Sequence, residues 1–238
     1  GGKNGRFPQT TYGLLSQLGA VAHDRKKILE RLCTSYWRPI YIYLRTMLAK
    51  SSEDAKDITQ GFFLWILEDE AFRKYMPERG SFRRYLKILL TSFVGHHEES
   101  LQRLRRGGGV RHLSFDDQMQ EASLQTSTLT VSDPNAAFDQ EWVKAVVDRA
   151  THDTKEILLK NEDSLSWKIF EKYDLAEPES VPTYDDLGKE FGVNAFKIRN
   201  SLFKVRQLLR TRIRVQIAET TTDEQEAERE WRTLFGAH

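Results

Sequence analysis

The 238-residue sequence predicts an all-α protein of two helical domains joined by a flexible acidic linker, and three observations predict it. Apolar residues recur with the 3.6-residue period of an α-helix over several long stretches. Gly and Pro are few (14 and 6), and 39% hydrophobic with 30% charged residues suits a helix-rich globular chain, not extended disorder or a β-sandwich. Between residues 108 and 134 the helical pattern lapses into Ser, Thr, Gln and Asp. The expected segments are an N-terminal extension 1–24, a first domain 25–107, the linker 108–134, a second domain 135–218 and an acidic C-terminal extension 219–238.

In the first domain, Ile28, Leu29, Leu32, Tyr36, Ile40, Tyr43, Leu44 and Met47 form a helical stripe, and Pro39 predicts a break or kink, read as two helices. Ser51 and Ser52 before Glu53 and Asp54 signal the start of a third helix to about residue 70, with Ala55, Ile58, Phe62, Trp65 and Ile66 on its apolar face. Pro77 and Gly80 interrupt the pattern. Phe82, Tyr85, Leu86, Leu89, Leu90 and Phe93 then resume it as a fourth helix to about residue 105, closed by Gly107-Gly108-Gly109. The ~25-residue linker can stretch ~80 Å at ~3.3 Å per residue, so the flanking domains can sit more than one DNA turn (~34 Å) apart.

Beyond the linker, helices are expected at 136–150 and 155–173. The run Glu177-Pro178-Glu179-Ser180-Val181-Pro182 breaks the chain. Thr183 can then cap a short helix carrying Tyr184, Leu187 and Phe191; Gly192 gives a turn, and Asn194 can cap a longer helix. On that longer helix Ile198, Leu202, Val205 and Leu209 share one stripe, while Lys197, Arg199, Asn200, Phe203, Lys204, Arg206 and Gln207 lie off it. This is a helix-turn-helix pattern.

Charge is segmented although the net value is only +1. Residues 1–112 carry +9, 113–140 carry −5, 141–183 carry −4, 184–218 carry +5 and 219–238 carry −4. Two basic blocks on separate folded units are the footprint of a polyanion binder, because each Lys or Arg at a phosphate releases counterions. The single Cys33 excludes an internal disulfide and a cysteine zinc site and suits a reducing compartment, so a cytoplasmic protein without membrane insertion is expected; no apolar run approaches ~20 residues.

Catalytic signals are missing. His96-His97-Glu98-Glu99 lacks the spacing of a helical zinc site, no phosphate-binding glycine loop is present, and Cys33 lies within an apolar stripe. No enzyme, metal or cofactor is expected. The helix-turn-helix instead predicts DNA binding, its second helix in a major groove with Arg199, Asn200 and Lys204 at bases and Arg206, Arg210 and Arg212 at the backbone. Asn194 and Lys197 belong to the same surface. A second surface, formed by Arg79, Ser81, Arg83, Arg84 and Lys87 beside the Pro77 to Ser81 loop, fits unpaired bases, with Phe82, Tyr85 and Phe93 assigned to the core.

Two segments in fixed order, Glu53-Asp54-Ala55-Lys56-Asp57-Ile58-Thr59-Gln60-Gly61-Phe62-Phe63 and Tyr184-Asp185-Asp186-Leu187-Gly188-Lys189-Glu190-Phe191-Gly192-Val193, carry a family resemblance. The chain resembles extracytoplasmic-function sigma factors of the sigma-70 family. The first segment is similar to region 2.2, residues 79–106 to regions 2.3 and 2.4, and the second segment to region 4.2. Phe7-Pro8-Gln9-Thr10 is similar to a long, planctomycete-like subgroup.

The resemblance implies a sigma-2 domain that binds the clamp helices of core RNA polymerase through Asp54, Asp57 and Gln60. Arg79, Ser81, Arg83, Arg84 and Lys87 would hold the minus-10 element of promoter DNA. A sigma-4 domain would hold the minus-35 element through Asn194, Lys197, Arg199, Asn200, Lys204, Arg206 and Arg210. It also implies an anti-sigma or other inhibitory protein partner, with Thr phosphorylation or a protease-cleaved inhibitor as alternative modes of control; Thr59 itself reads as a neutral helix residue. Gly61 stands where many relatives carry Glu, the 162–182 connection is longer than in short members, and Thr183-Tyr184-Asp185-Asp186 replaces the usual Leu-Ser-Tyr-Glu-Glu. For the acidic tail with Trp231, Leu234 and Phe235, three roles stay open: packing on the second domain, holding an inhibitor, or shielding basic residues. The rival of a different class is a helix-turn-helix repressor that acts without polymerase.

Overall fold

Pro39 sits inside a continuous helix. In the computed structural model, which describes residues 22–49, 51–68, 74–76, 79–104, 133–221 and 224–236, α1 runs over Ala22–Leu48 without interruption. Proline removes one helical hydrogen bond and costs about 3 kcal/mol in a helix interior. Here Tyr36, Ile40, Tyr41, Tyr43 and Leu44 on either side are all buried, and burial of ~1.5–3 kcal/mol per large side chain outweighs that loss. The expected break is corrected accordingly.

Among the described residues the remaining elements are also helical: α2 (Ser52–Glu68), α3 (Phe82–Leu104), α4 (Pro134–Lys160), α5 (Ser164–Asp174), a 3-10 turn (Pro178–Ser180), α6 (Tyr184–Phe191), α7 (Ala195–Ala218) and α8 (Glu224–Phe235). The expected pair at 136–150 and 155–173 is present as α4 and α5, but the break falls at 161–163 and not at 151–154: Thr154 is fully buried, its Oγ1 bonds the Ala150 carbonyl at 2.7 Å, and α4 continues to Lys160. The residues of the expected linker between 105 and 132, and the motif Phe7 to Thr10, lie outside the described residues.

The chain divides into two compact units, residues 1–145 with 218–238, and residues 146–217. This differs from the expected boundaries at two places. Residues 135–145 and the C-terminal extension belong to the first unit, because Phe138 and Trp142 of α4 and Trp231 of α8 are buried there.

Aromatic rings dominate the first unit. Phe82 meets Tyr36 and Tyr75 edge-on with ring centroids 5.8 and 5.4 Å apart, Phe138 packs on Tyr36 and Tyr43, and Phe62 contacts Phe93 at 5.3 Å. Tyr41, Ile42, Ala55 and Ala137 form a further patch that joins α1, α2 and α4. Polar ties fix the register: Tyr43 Oη lies 3.1 Å from Thr91 Oγ1, Tyr41 Oη lies 2.9 Å from Ser52 Oγ, and Arg38 pairs with Glu141.

The second unit closes around Leu158, Trp167, Ile169, Phe170, Leu187, Ile198, Leu202 and Val205. Its local geometry follows the sequence closely. Thr183 Oγ1 accepts from the Asp186 N–H at 3.2 Å while Asp186 Oδ2 accepts from the Thr183 N–H at 3.2 Å, a reciprocal capping box. These bonds from Thr183 hold the Asp186 carboxyl below its ordinary range. Gly192 takes a left-handed φ of 65°, and Asn194 Oδ1 accepts from the Lys197 N–H at 2.9 Å to start α7.

Two glycines separate close packing from open space. A Cβ on Gly188 would stand 2.8 Å from the Val193 carbonyl oxygen, which is backbone and cannot swing away, whereas a Cβ on Gly61 would meet only the Phe93 ring edge at 3.7 Å. Gly188→Ala is therefore expected to destabilise the second unit by about 1–3 kcal/mol, and Gly61→Ala to stabilise the first by about 0.5–1 kcal/mol through helix propensity. Chemical denaturation midpoints of the two variants should move in opposite directions. A second expectation concerns pH. Asp186 has a depressed folded-state pKa, so its contribution is present above its unfolded value of about 3.9 and is lost as pH falls through the folded one. Acid titration of Asp186→Asn against the parent should show a smaller loss of stability below about pH 4.

Candidate nucleic-acid interface

The helix-turn-helix of the second unit turns one face of α7 inward and leaves the other open. Ile198, Leu202 and Val205 are fully buried, while Lys197, Arg199, Asn200, Phe203, Lys204, Arg206 and Gln207 are exposed, the division that the apolar stripe predicts. No acid occurs in the 28 positions between Glu190 and Glu219, so the open face is cationic along its length. Asn194 spends its side chain on capping α7.

Partners sort the basic residues of α7. Arg206 makes a bidentate pair with Asp174 (2.9 and 2.7 Å) and lies over the Tyr173 ring, Lys204 reaches Asp163 at 2.5 Å, and Arg212 reaches Asp153 at 2.8 Å. Burial acts to raise the Asp163 carboxyl, but the Lys204 ammonium and the Ser166 hydroxyl and N–H hold it below its usual range. These pairs brace α7 against α4 and α5. Lys197, Arg199 and Asn200, near the helix start, have no such ion pair among the described residues, and Arg210 is exposed on the same helix. Phe196 and Phe203 project at 68% and 63% exposure, two turns apart. Phe203 was legible as lying off the core stripe; Phe196 was not singled out, although the same 3.6-residue count places it there.

The first unit carries a cleft of about 620 Å³ lined by Arg79, Gly80, Ser81, Arg84 and Lys87 on one side and by Glu226, Arg229 and Thr233 of α8 on the other. Adjoining it, Tyr75, Met76, Tyr85 and Ile88 shape a smaller pocket of about 210 Å³ that shares Arg79, Gly80, Ser81 and Arg84 with the cleft. Met76 and Ile88 are about half exposed, an unusual condition for large apolar side chains beside arginines. Gly80, at φ 130°, adopts a backbone that L-residues avoid, and the Arg84 side chain folds over it.

Arg83 departs from expectation. Expected at DNA, its side chain is only 8% exposed: it pairs with Asp139 of α4, bonds Glu230 of α8 at 2.9–3.0 Å, and lies 5.4 Å from the centre of the Trp142 ring. A buried guanidinium with these partners is committed to the fold. Lys87 is half-buried, bonded to Asp139 at 2.6 Å and set over Phe138. Arg79 and Arg84 are exposed and Ser81 is half-buried, its Oγ accepting from the Arg84 N–H at 3.3 Å. The Tyr75 hydroxyl donates toward the Gly80 carbonyl (3.1 Å) and Glu226 (3.3 Å); burial and then the Glu226 charge push its pKa up, so it stays a donor at all ordinary pH. Glu226, Glu230, Arg229 and Thr233 were not foreseen at this place because 147 residues separate Arg83 from Glu230.

On α2, Asp54 and Asp57 are exposed and Gln60 is half-buried. Asp54 shares a cap with Ser51: its N–H donates to Ser51 Oγ at 3.1 Å, and that hydroxyl donates to Asp54 Oδ2 at 2.9 Å. Thr59 is fully buried with its Oγ1 bonded to the Ala55 carbonyl at 2.6 Å, which closes it to a modifying enzyme. Burial lifts the Cys33 thiol to about 12, so it is protonated at neutral pH and unsuited to nucleophilic attack. Among the described residues no helix is long and apolar enough to cross a membrane. No protein-family model, curated protein or solved structure matches this chain.

The burial of Arg83 gives a direct check on its role. Arg83→Ala leaves Glu230 buried beside a lost cation and is expected to lower stability by about 3–5 kcal/mol, against less than about 0.5 kcal/mol for exposed Arg84→Ala. Equilibrium urea unfolding of the two variants measures the difference.

Proposed function

We propose that the chain is a sigma factor: a subunit that binds core RNA polymerase and directs initiation at promoters, with no catalytic site of its own. The observation that carries this reading is that two separate compact units each present a cationic surface of different character. One is the open face of a capped helix-turn-helix, suited to a duplex major groove. The other is an arginine-walled cleft beside an apolar pocket, suited to a strand whose bases are unpaired. A duplex-binding repressor has use for the first surface alone.

In this reading Lys197, Arg199 and Asn200 address base edges of the minus-35 element, and Arg210 lies alongside the phosphates, while Lys204, Arg206 and Arg212 brace the helix. Phe196 and Phe203 supply apolar contacts of the kind that thymine methyl groups accept. Arg79, Ser81 and Arg84 hold a melted minus-10 strand, and the Met76, Tyr85 and Ile88 pocket receives a base. Asp54, Asp57 and Gln60 on α2 offer a polar, acidic face to a basic partner surface on the polymerase, where charge complementarity speeds and orients docking. The sequence resemblance in the α2 and α6 segments supports the same assignment. A dedicated inhibitory protein of anti-sigma type is the regulator that the resemblance favours, acting in the cytoplasm.

Run-off transcription with added core polymerase tests the reading. Promoter-dependent transcripts are expected only when the chain is present, and Asp57→Lys combined with Gln60→Ala should abolish both transcripts and co-purification with core. Unchanged co-purification would overturn the docking assignment. Tight binding to a palindromic duplex without polymerase would favour the repressor.

A further inference from the structure

The C-terminal helix α8 looks acidic in sequence, with Glu224, Glu226, Glu228 and Glu230, yet its acids do not face the cleft as free charges. Glu226 and Glu230 are buried, one bonded to the Tyr75 hydroxyl and the other to Arg83, and Glu228 pairs with Arg232 at 3.2 Å. Trp231 is buried alongside, so the helix is fastened to the first unit by one ion pair, one hydrogen bond from a tyrosine and one aromatic anchor. α8 lines the cleft with Glu226, Arg229, Glu230 and Thr233; Arg229 is the exposed cation among them, and the Thr233 hydroxyl donates to the Arg229 carbonyl at 2.9 Å. Arg83 and Lys87 across the cleft are neutralised by Glu230 and Asp139. The cations left facing solvent are Arg79 and Arg84 from one wall and Arg229 from the other.

We propose that α8 completes a binding site for the phosphates of single-stranded DNA, with Arg229 gripping the strand opposite Arg79 and Arg84. A cationic cleft that shares a wall with an apolar pocket repeats the chemistry of one nucleotide, a phosphate beside a base, and a paired duplex has no unstacked base to place there. The tail is thus a ligand-binding wall as well as the source of a counter-ion for Arg83. The proposal rests on reading this cleft as a single-strand site and extends that site to a helix outside both segments that carry the family resemblance.

Fluorescence anisotropy with the full chain and a fluorescein-labelled oligothymidylate of about twelve nucleotides, at about 50 mM salt, tests it. Arg229→Ala is expected to weaken binding roughly five-fold and to reduce the slope of log K against log salt by about 0.7, the loss of one phosphate contact on a single strand. Arg84→Ala should behave alike, Arg229→Lys should retain most of the slope, and Arg232→Ala, on the same helix but outside the cleft, should change nothing. Because Arg229 is exposed, its substitution leaves the fold intact, which thermal unfolding verifies. Unchanged affinity and slope for Arg229→Ala would overturn the proposal, as would tighter binding, the signature of a cover, or no binding by the parent chain. Run-off transcription read in parallel separates the two ideas. Initiation by a chain indifferent to Arg229 sinks this site alone, and Arg229-dependent binding by a chain that cannot initiate sinks the sigma reading alone.

Discussion

The first unit is organised around one buried cation. Arg83 on α3 gathers Asp139 from α4, Glu230 from α8 and the face of Trp142, so three segments far apart in sequence converge on a single guanidinium. Taking that charge out of water carries a penalty of several kcal/mol, which only close and well-directed partners offset. The arrangement is therefore intolerant of partial assembly, because any one partner arriving without the others leaves a charge stranded in an apolar setting. Specific docking of α8 follows from this constraint more than from its hydrophobic area, which consists of Trp231 with Leu234 and Phe235 half-buried.

From that anchor the neighbouring surface takes its form. Fixing α3 at Arg83 sets the start of the helix, and Tyr75 ties the preceding loop to Gly80 and to Glu226. The side chains of Arg79 and Arg84 are then presented from a short, braced segment. A basic cluster that looks uniform in sequence, Arg79, Arg83, Arg84 and Lys87, is divided by this packing into two residues that build and two that are offered outward.

Legibility in the sequence tracked the range of the interactions involved. Thr183 with Asp186, Gly192 and Asn194 act within four residues, and each cap and turn is readable from the sequence. Core positions on α2, α3 and α7, and Tyr36 to Leu44 of α1, were readable from periodicity, because burial repeats along a helix; Met47, expected on the same stripe, is 44% exposed, and the side chains of Ile28, Leu29 and Leu32 lie outside the described residues. Pro39 misled because local propensity pointed one way and tertiary burial the other. The break expected between the two helices of 136–173 was placed about ten residues early for the same reason, with buried Thr154 carrying α4 on to Lys160. Arg83 was assigned to solvent because nothing within a helical turn of it is acidic, and its partners stand 56 and 147 residues away. The C-terminal segment was recognised as amphipathic, but which surface it covers depends on pairings of that same distant kind.

The turn between α6 and α7 has a further consequence. Gly188 approaches the Val193 carbonyl too closely to admit a Cβ, and the core stripe Ile198, Leu202 and Val205 holds α7 from behind. The outward positions Phe196, Lys197, Arg199, Asn200 and Phe203 take no part in that packing. Such a scaffold is open to re-addressing: if α7 reads DNA as proposed, drift at those five positions would alter what it recognises while leaving how it folds untouched. Selection on binding preference and selection on stability thus act on different residues of the same rod, so new preferences can arise without passing through misfolded ancestors.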